Sequence, residues 1–296
     1  MRKIENLVFE GGGVLGMAYA GAIEALHEQN ILDDVKRAAG TSAGALVASL
    51  VSLCYTAEEI KGIVNGTNFK KFEDHFDPLR VPFKYGLYRG DYLLNWIKEI
   101  VKTKTGNEDS TFADLHNGGF RELKVFACDL TATTIKEFSF EKTPNVVVAE
   151  SVRASMSIPL FFNAWKFPND NPNDHIYVDG GTMYNYPIDA FDDPLTTLGF
   201  FFDVHTPENS KELKYNHFFD YIQLLFKALL DSQKIVFQRN KEEMAITVMI
   251  DTLGIAPTNF KLTEEDKMKL FKSGRQAALD YISKMPTVEE LKSLQK

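Results

Sequence analysis

Ser42 lies in Gly40-Thr41-Ser42-Ala43-Gly44, a run of the form G-x-S-x-G. It falls between a short β-prone stretch, residues 35–39, and an apolar stretch of helical length, residues 43–54. A serine on a sharp strand-to-helix turn exposes its hydroxyl. It also places that hydroxyl at a helix N-terminus, where developing negative charge is favoured. This is the setting of a nucleophile, and a serine hydroxyl becomes one only beside a positioned base. Six histidines are candidates: His27, His75, His116, His175, His205 and His217. His205 or His217 would keep the Ser–acid–His order of an α/β-hydrolase. None of the six stands in a glycine-flanked loop after a strand. Asp179 does: it closes the apolar run Ile176-Tyr177-Val178 and precedes Gly180 and Gly181. At the carboxyl end of a strand it would face the crevice in which open α/β sheets bind ligands. The same Asp-Gly pair is equally at home in a hairpin turn.

A second glycine-rich run, Gly11-Gly12-Gly13-Val14-Leu15-Gly16, fits G-x-G-x-x-G after a strand and before a helix. Backbone amides there can approach an anion closely, and the helix N-terminus adds positive potential. A dinucleotide site would want an acidic residue about 20 positions on, at the end of the next strand. Asp33 and Asp34 are in range but precede that strand. The same amides would also serve as an oxyanion hole, and a tight turn with close helix packing is the third reading.

The elements that must position these groups follow from periodicity. Strands are expected at residues 7–9, 35–39, 123–128, 135–140, 176–178, 197–204 and 245–250. Helices are expected at about 15–29, 43–54, from a cap at Asp91 through Ile100, and through Val147–Met156 up to Pro159. Further helices follow at about 218–243 and from Thr263, with Asp266 three residues on. The stripe Phe218, Ile222, Leu225, Leu229 and Val236 reads as a core-facing side, with an interface or membrane face as the alternative. Strands alternating with helices imply an α/β fold, a mainly parallel sheet flanked by helices.

Across 296 residues, 44% are hydrophobic and 25% charged, with a net charge of −8. These values exclude a disordered or low-complexity chain. The acidic balance argues against nucleic-acid binding. Two cysteines make no disulfide framework, and no Cys/His spacing suggests a metal site, so no cofactor or metal is expected. Without a signal-like segment or an apolar run of spanning length, a cytoplasmic location is expected. Residues 61–104 depart from the average, with nine Lys/Arg against five Asp/Glu. They also hold Phe69, Phe72, Phe76, Phe83, Tyr85, Tyr88, Tyr92 and Trp96. That stretch reads either as a lid resting on an anionic lipid surface or as a loop whose aromatics fill the core beneath it.

Gly11–Gly16, Gly40–Gly44 and Asp179-Gly180-Gly181, in this order, resemble the patatin-like phospholipases. The segment Val152-Arg153-Ala154-Ser155-Met156-Ser157-Ile158-Pro159 adds to the likeness, as do Asn185 and Pro187, Thr111–Leu115 and Tyr85-Gly86-Leu87. The likeness is clearest over residues 4–198. It implies a three-layer α/β catalytic domain over residues 1–296, with 199–296 a helical part packed on the same core. It implies a Ser42–Asp179 dyad without histidine and an oxyanion hole from Gly11, Gly12 and Gly13. Gly16, Gly40, Gly44, Gly180 and Gly181 support these motifs. Where the family often carries Arg or Lys before the last glycine of the first motif, this chain has Leu15. The implied activity is lipid acyl hydrolysis of phospholipase A or lysophospholipase type. Its partner would be a phospholipid or other acyl lipid, with peripheral membrane contact. An acyltransferase using the same dyad, and a nucleotide-binding module at Gly11–Gly16, are the alternatives.

Overall fold

The computed structural model describes residues 2–168, 171–203 and 218–294. Nine strands occur among them: β1 (Asn6–Phe9), β2 (Arg37–Thr41), β3 (Gly86–Tyr88), β4 (Glu122–Asp129), β5 (Thr134–Ser139), β6 (Leu160–Phe162), β7 (Tyr177–Asp179), β8 (Thr197–Asp203) and β9 (Thr247–Asp251). The helices are α1 (Met17–Glu28), α2 (Ala43–Ser52), α3 (Ala57–Gly66), α4 (Val81–Lys84), α5 (Asp91–Thr105), α6 (Phe112–Asn117), α7 (Val148–Ser155), α8 (Phe218–Phe237), α9 (Lys241–Ala245), α10 (Glu264–Ser283) and α11 (Val288–Leu294). No helix among the described residues is long and apolar enough to cross a membrane.

The main sheet runs β5-β4-β2-β1-β8-β9, parallel from β4 through β9. β5 pairs antiparallel with β4. Covered on both faces, the central strands read as unbroken apolar runs rather than as an alternating pattern. In β1, Leu7 and Phe9 enter the larger core and Val8 enters a smaller one on the opposite face. The larger core lies under α1, α2, α5, α7 and α10. The smaller one is closed by Ile188, Phe191, Ile246 and Leu291. The part beyond residue 198 is therefore not only helical: β8 and β9 extend the sheet, and α10 packs on α1.

β7 breaks the parallel order, and this break is what the site depends on. β2 accompanies β4 only as far as Thr41 opposite Phe126. β7 then continues along the same edge of β4 in the opposite direction, from Tyr177 opposite Asp129 to Asp179 opposite Ala127. The carboxyl ends of β2 and β7 thus meet head to head on one edge of β4.

Several boundaries differ from expectation for local reasons. Asp91 does not cap α5; the cap position is Gly90, and the orphan amides of Gly90 and Tyr92 donate to the Asp74 carboxylate at 2.7 and 2.8 Å. The helix expected over 218–243 stops at Phe237, and Asn240 caps a separate α9. Its stripe does not face the core: Leu225, Leu229 and Val236 are exposed, while the side chains of Phe218 and Ile222 lie outside the described set, as does Val204 of the expected strand. The parallel pair β3–β6 was not legible at all, being three residues on each side.

α1 and α10 cross at backbone contact. A Cβ on Gly274 would stand 1.9 Å from the Ala18 carbonyl oxygen, and one on Gly21 would stand 1.9 Å from that of Phe271. Gly62, in α3, has open space around it. Gly274→Ala is expected to lower stability by about 1–3 kcal/mol through forced separation of the two helices. Gly62→Ala should instead be neutral or gain up to about 1 kcal/mol from helix propensity. Thermal melts of the two variants beside the native chain check this.

Candidate active site

Ser42 begins α2 with φ 54° and ψ −124°, a conformation rarely adopted by residues other than glycine. Such strain costs on the order of 1–3 kcal/mol and persists only where the surroundings enforce it. The Ser42 N–H donates to Ser155 Oγ at 2.8 Å, and that hydroxyl donates to the Phe126 carbonyl at 2.5 Å. The Ser42 carbonyl accepts from the Ala45 amide at 2.9 Å, opening α2. Gly44 is pressed against β1, where a Cβ would lie 2.3 Å from the Phe9 carbonyl oxygen. Gly40 faces the same crossing from β2, and Gly16 lies beside Ala43.

The hydroxyl produced by this turn donates to Asp179 Oδ2 at 2.6 Å across 137 residues of sequence. The other carboxylate oxygen, Oδ1, accepts the Gly181 N–H at 2.8 Å. Asp179 is therefore held by both oxygens, one backbone donor fixing it and the other oxygen facing the serine. The Asp-Gly-Gly segment is no hairpin: Gly180–Thr182 forms a single 3-10 turn, with Asp179 as its cap and Gly180 packed on the Phe126 carbonyl. Asp179 is buried, and loss of solvation pushes its pKa up to about 7 against the opposing pull of the Ser42 and Gly181 hydrogen bonds.

The glycine loop lies alongside. A Cβ on Gly11 would come within 3.2 Å of Ser42 Cβ. The Gly11 N–H donates to the Asn185 carbonyl at 2.9 Å. Its hydrogen is already engaged, which corrects the expectation that Gly11 joins Gly12 and Gly13 as a free donor. Neither of their amides has an acceptor among the described residues. Gly13 takes φ 53°, and the Val14 amide that follows it donates to the Pro257 carbonyl. Leu15, where the family often carries a cation, is buried in the core.

A second buried carboxyl fixes this loop. Glu10 accepts the Phe202 amide at 2.7 Å and Asn185 Nδ2 at 2.8 Å, and burial pushes its pKa to about 8. Asn185 Nδ2 also approaches the Gly11 carbonyl at 3.2 Å. Gln233, from α8, accepts the Asn185 amide at 2.7 Å and donates to the Gly181 carbonyl at 2.8 Å. Glu10, Ser155 and Gln233 were not singled out from sequence. Only Glu10 carried a signal, as a charge closing an apolar strand.

Among the described residues, no histidine reaches Ser42. His175 Nδ1 pairs with Asp129 Oδ2 at 2.7 Å, and His116 stacks on Phe140. His205 and His217 lie outside the described residues. The dinucleotide reading lacks its acid: Asp33 and Asp34 form a turn at the start of β2, and its carboxyl end carries Ser42.

Ser42 opens into an apolar cavity lined by Leu46, Val47, Val64, Phe69, Phe72, Leu93, Trp96, Met156, Ile158 and Phe162, with Gly13 and Gly16 at the serine end. The two readings of the 61–104 stretch therefore divide along the chain. Phe69, Phe72 and Trp96 fill the interior, whereas Phe76, Phe83 and Tyr85 are exposed.

A serine hydroxyl held by a buried carboxyl beside an apolar cavity, on this sheet, defines a class. Residues 7–192 match the family model "Patatin-like phospholipase", and the chain belongs to that family. It is accordingly a serine lipid hydrolase acting on ester bonds. It is 31% identical to the uncharacterized protein YqhO of Bacillus subtilis, over 91% of this chain and 94% of that one. It is 29% identical to the uncharacterized protein R571 of Acanthamoeba polyphaga mimivirus, over 96% and 95%. Among solved structures, VipD from Legionella pneumophila has the same fold, with a TM-score of 0.70 at 18% identity, covering 96% of this chain and 67% of that one.

Burial of Asp179 has a consequence for stability. Its folded pKa of about 7 lies above the ordinary carboxyl value, so between roughly pH 4 and pH 7 the folded chain holds a proton that the unfolded chain releases. Stability from the neutral acid is complete below that window and falls as pH rises through it. Asp179→Asn, which cannot ionise, is expected to melt higher than the native chain at pH 8. That advantage should shrink toward pH 4, as read by thermal melts across pH.

Proposed function

We propose that the chain cleaves carboxylic esters of phospholipids or lysophospholipids through a Ser42 acyl-enzyme, with Asp179 as general base and the Gly12 and Gly13 amides as oxyanion hole. The observation that carries this reading is the 2.6 Å hydrogen bond from a strained serine to a buried carboxyl, at the end of an apolar cavity. As Oγ attacks the ester carbonyl, its proton passes to Asp179 Oδ2. Negative charge collects on the carbonyl oxygen, where preorganised N–H groups are most effective. The neutral Asp179 then protonates the departing alcohol. A water molecule entering in its place attacks the acyl carbon and gives a proton to Asp179; as the acyl–Oγ bond breaks and the fatty acid leaves, Asp179 returns that proton to Ser42 Oγ.

An aspartate near its ordinary pKa of about 3.9 is a weak base at neutral pH. A pKa of about 7 brings it near the operating pH, where general-base efficiency is greatest. The same burial that destabilises the carboxylate thus suits it to this task. The cavity walls are aliphatic and aromatic, which favours an acyl chain and keeps bulk water from the acyl-enzyme. Residues 1–296 are read as one catalytic domain, since β8 and β9 join the same sheet and the Phe202 amide in β8 anchors Glu10 beneath the glycine loop.

A hydrolysis assay across a panel of phospholipids, lysophospholipids and triacylglycerols tests the reading. Ser42→Ala and Asp179→Asn are each expected to lower kcat by about three orders of magnitude or more. The native enzyme should lose activity as pH falls through about 7, as Asp179 takes up its proton. Fatty-acid release by Ser42→Ala at the native rate would refute the assignment.

A further inference from the structure

Within the segment joining α3 to α5, three large apolar side chains stand clear of the protein: Leu79 is 82% exposed, Phe83 77% and Phe76 60%. They are not a frayed loop. The segment is clamped at its far end by Arg153, wholly buried, which donates to the carbonyls of Arg89 and Gly90 at 3.0 and 3.2 Å. β3 holds it to β6, and the Asn163 amide donates to the Tyr88 carbonyl at 2.8 Å. Three large apolar side chains held exposed on a segment anchored by a strand pair are what a surface that meets an apolar phase requires.

Two further observations choose the occupant. First, the patch is joined to the cavity by a continuous line of rings. Phe76 packs on Tyr88 at 5.6 Å, Tyr88 on Phe161 at 4.8 Å, and Phe161 on Phe260 at 4.9 Å. Phe260 lines the same cavity as Ser42. Second, the patch is flanked in sequence by cations in a chain of net charge −8. Lys70, Lys71 and Lys84 are exposed, and among the described residues no carboxylate forms an ion pair with them, although the Lys71 ammonium lies over the Tyr92 ring. Exposed apolar side chains on one segment with exposed lysines match a bilayer with anionic headgroups.

We propose that the Phe76–Tyr85 segment is a membrane-docking surface for anionic lipid bilayers, seating Leu79 and Phe83 among the acyl chains and passing lipid along the Phe76–Tyr88–Phe161–Phe260 ring line to the cavity. The ring line takes its meaning from the acyl-hydrolase reading above; the docking itself does not need catalysis. Leu79 and Phe83 enter the bilayer, the lysines meet headgroup phosphates, and Arg153 keeps the platform fixed to the site.

The test is vesicle co-sedimentation in a Ser42→Ala background, which separates docking from hydrolysis. Phosphatidylcholine vesicles with and without about one third phosphatidylglycerol are compared. The background protein is expected to bind the anionic vesicles and to leave the zwitterionic ones largely in solution. Leu79→Ser/Phe83→Ser and Lys70→Glu/Lys71→Glu/Lys84→Glu should each weaken binding roughly tenfold or more. Unchanged melting temperatures would show that each variant is folded. Failure to bind anionic vesicles, or binding by both variants as tight as that of the background protein, overturns the proposal. A dimer that Leu79→Ser/Phe83→Ser converts to monomer, with vesicle binding retained, would assign the patch to a second copy and overturn it too. If docking holds but no lipid ester is cleaved by the native enzyme, it is the catalytic reading that falls.

Discussion

A single hydrogen bond, Ser42 Oγ to Asp179 Oδ2, joins the ends of two strands that approach each other head to head along one edge of β4. β2 must end at Thr41 for β7 to take its place, and β7 must run backward for its last residue to arrive beside Ser42. In this sheet the meeting is made by the antiparallel β7, which fills the edge of β4 that β2 leaves open beyond Thr41.

Holding that bond requires the fold to sustain two unfavourable states. Ser42 keeps a backbone conformation rare for its type, and two carboxyls, Asp179 and Glu10, are buried with raised pKa values. Each is offset by hydrogen bonds from a different part of the chain. Ser155 holds the serine amide, Gly181 holds the aspartate, and Phe202 and Asn185 hold Glu10. Gln233 ties the glycine loop to the aspartate turn through Asn185 and Gly181. Strain at the reacting groups is thus balanced by contacts drawn from β4, α7, β8 and α8, which is why residues far beyond the motifs belong to the site.

The motifs were legible because their chemistry is local. A serine between two small residues at a strand-to-helix turn, and an aspartate closing an apolar strand, declare themselves from a few neighbours. The parallel sheet was legible from the alternation of elements. What escaped depends on partners distant in sequence. The direction of β7 is set by its pairing with β4, not by its three residues. The Gly11 amide looks free until Asn185 is placed opposite it. Asp74 caps α5 from outside the helix, so the nearer Asp91 drew the assignment. The apolar stripe of α8 has helical spacing whether it faces core or solvent, and only the folded chain shows Leu225, Leu229 and Val236 exposed. Likewise, eight aromatics in one stretch gave two readings because they serve two places, Phe72 within and Phe83 outside.

The central claim is that Asp179 makes Ser42 nucleophilic. Covalent trapping tests it without choosing a substrate. An alkyl fluorophosphonate should modify one residue, Ser42, as located by peptide mass spectrometry. The labelling rate should fall as pH drops through about 7 and collapse in Asp179→Asn. Labelling on another residue, or a Ser42 rate untouched by Asp179→Asn, would contradict the account.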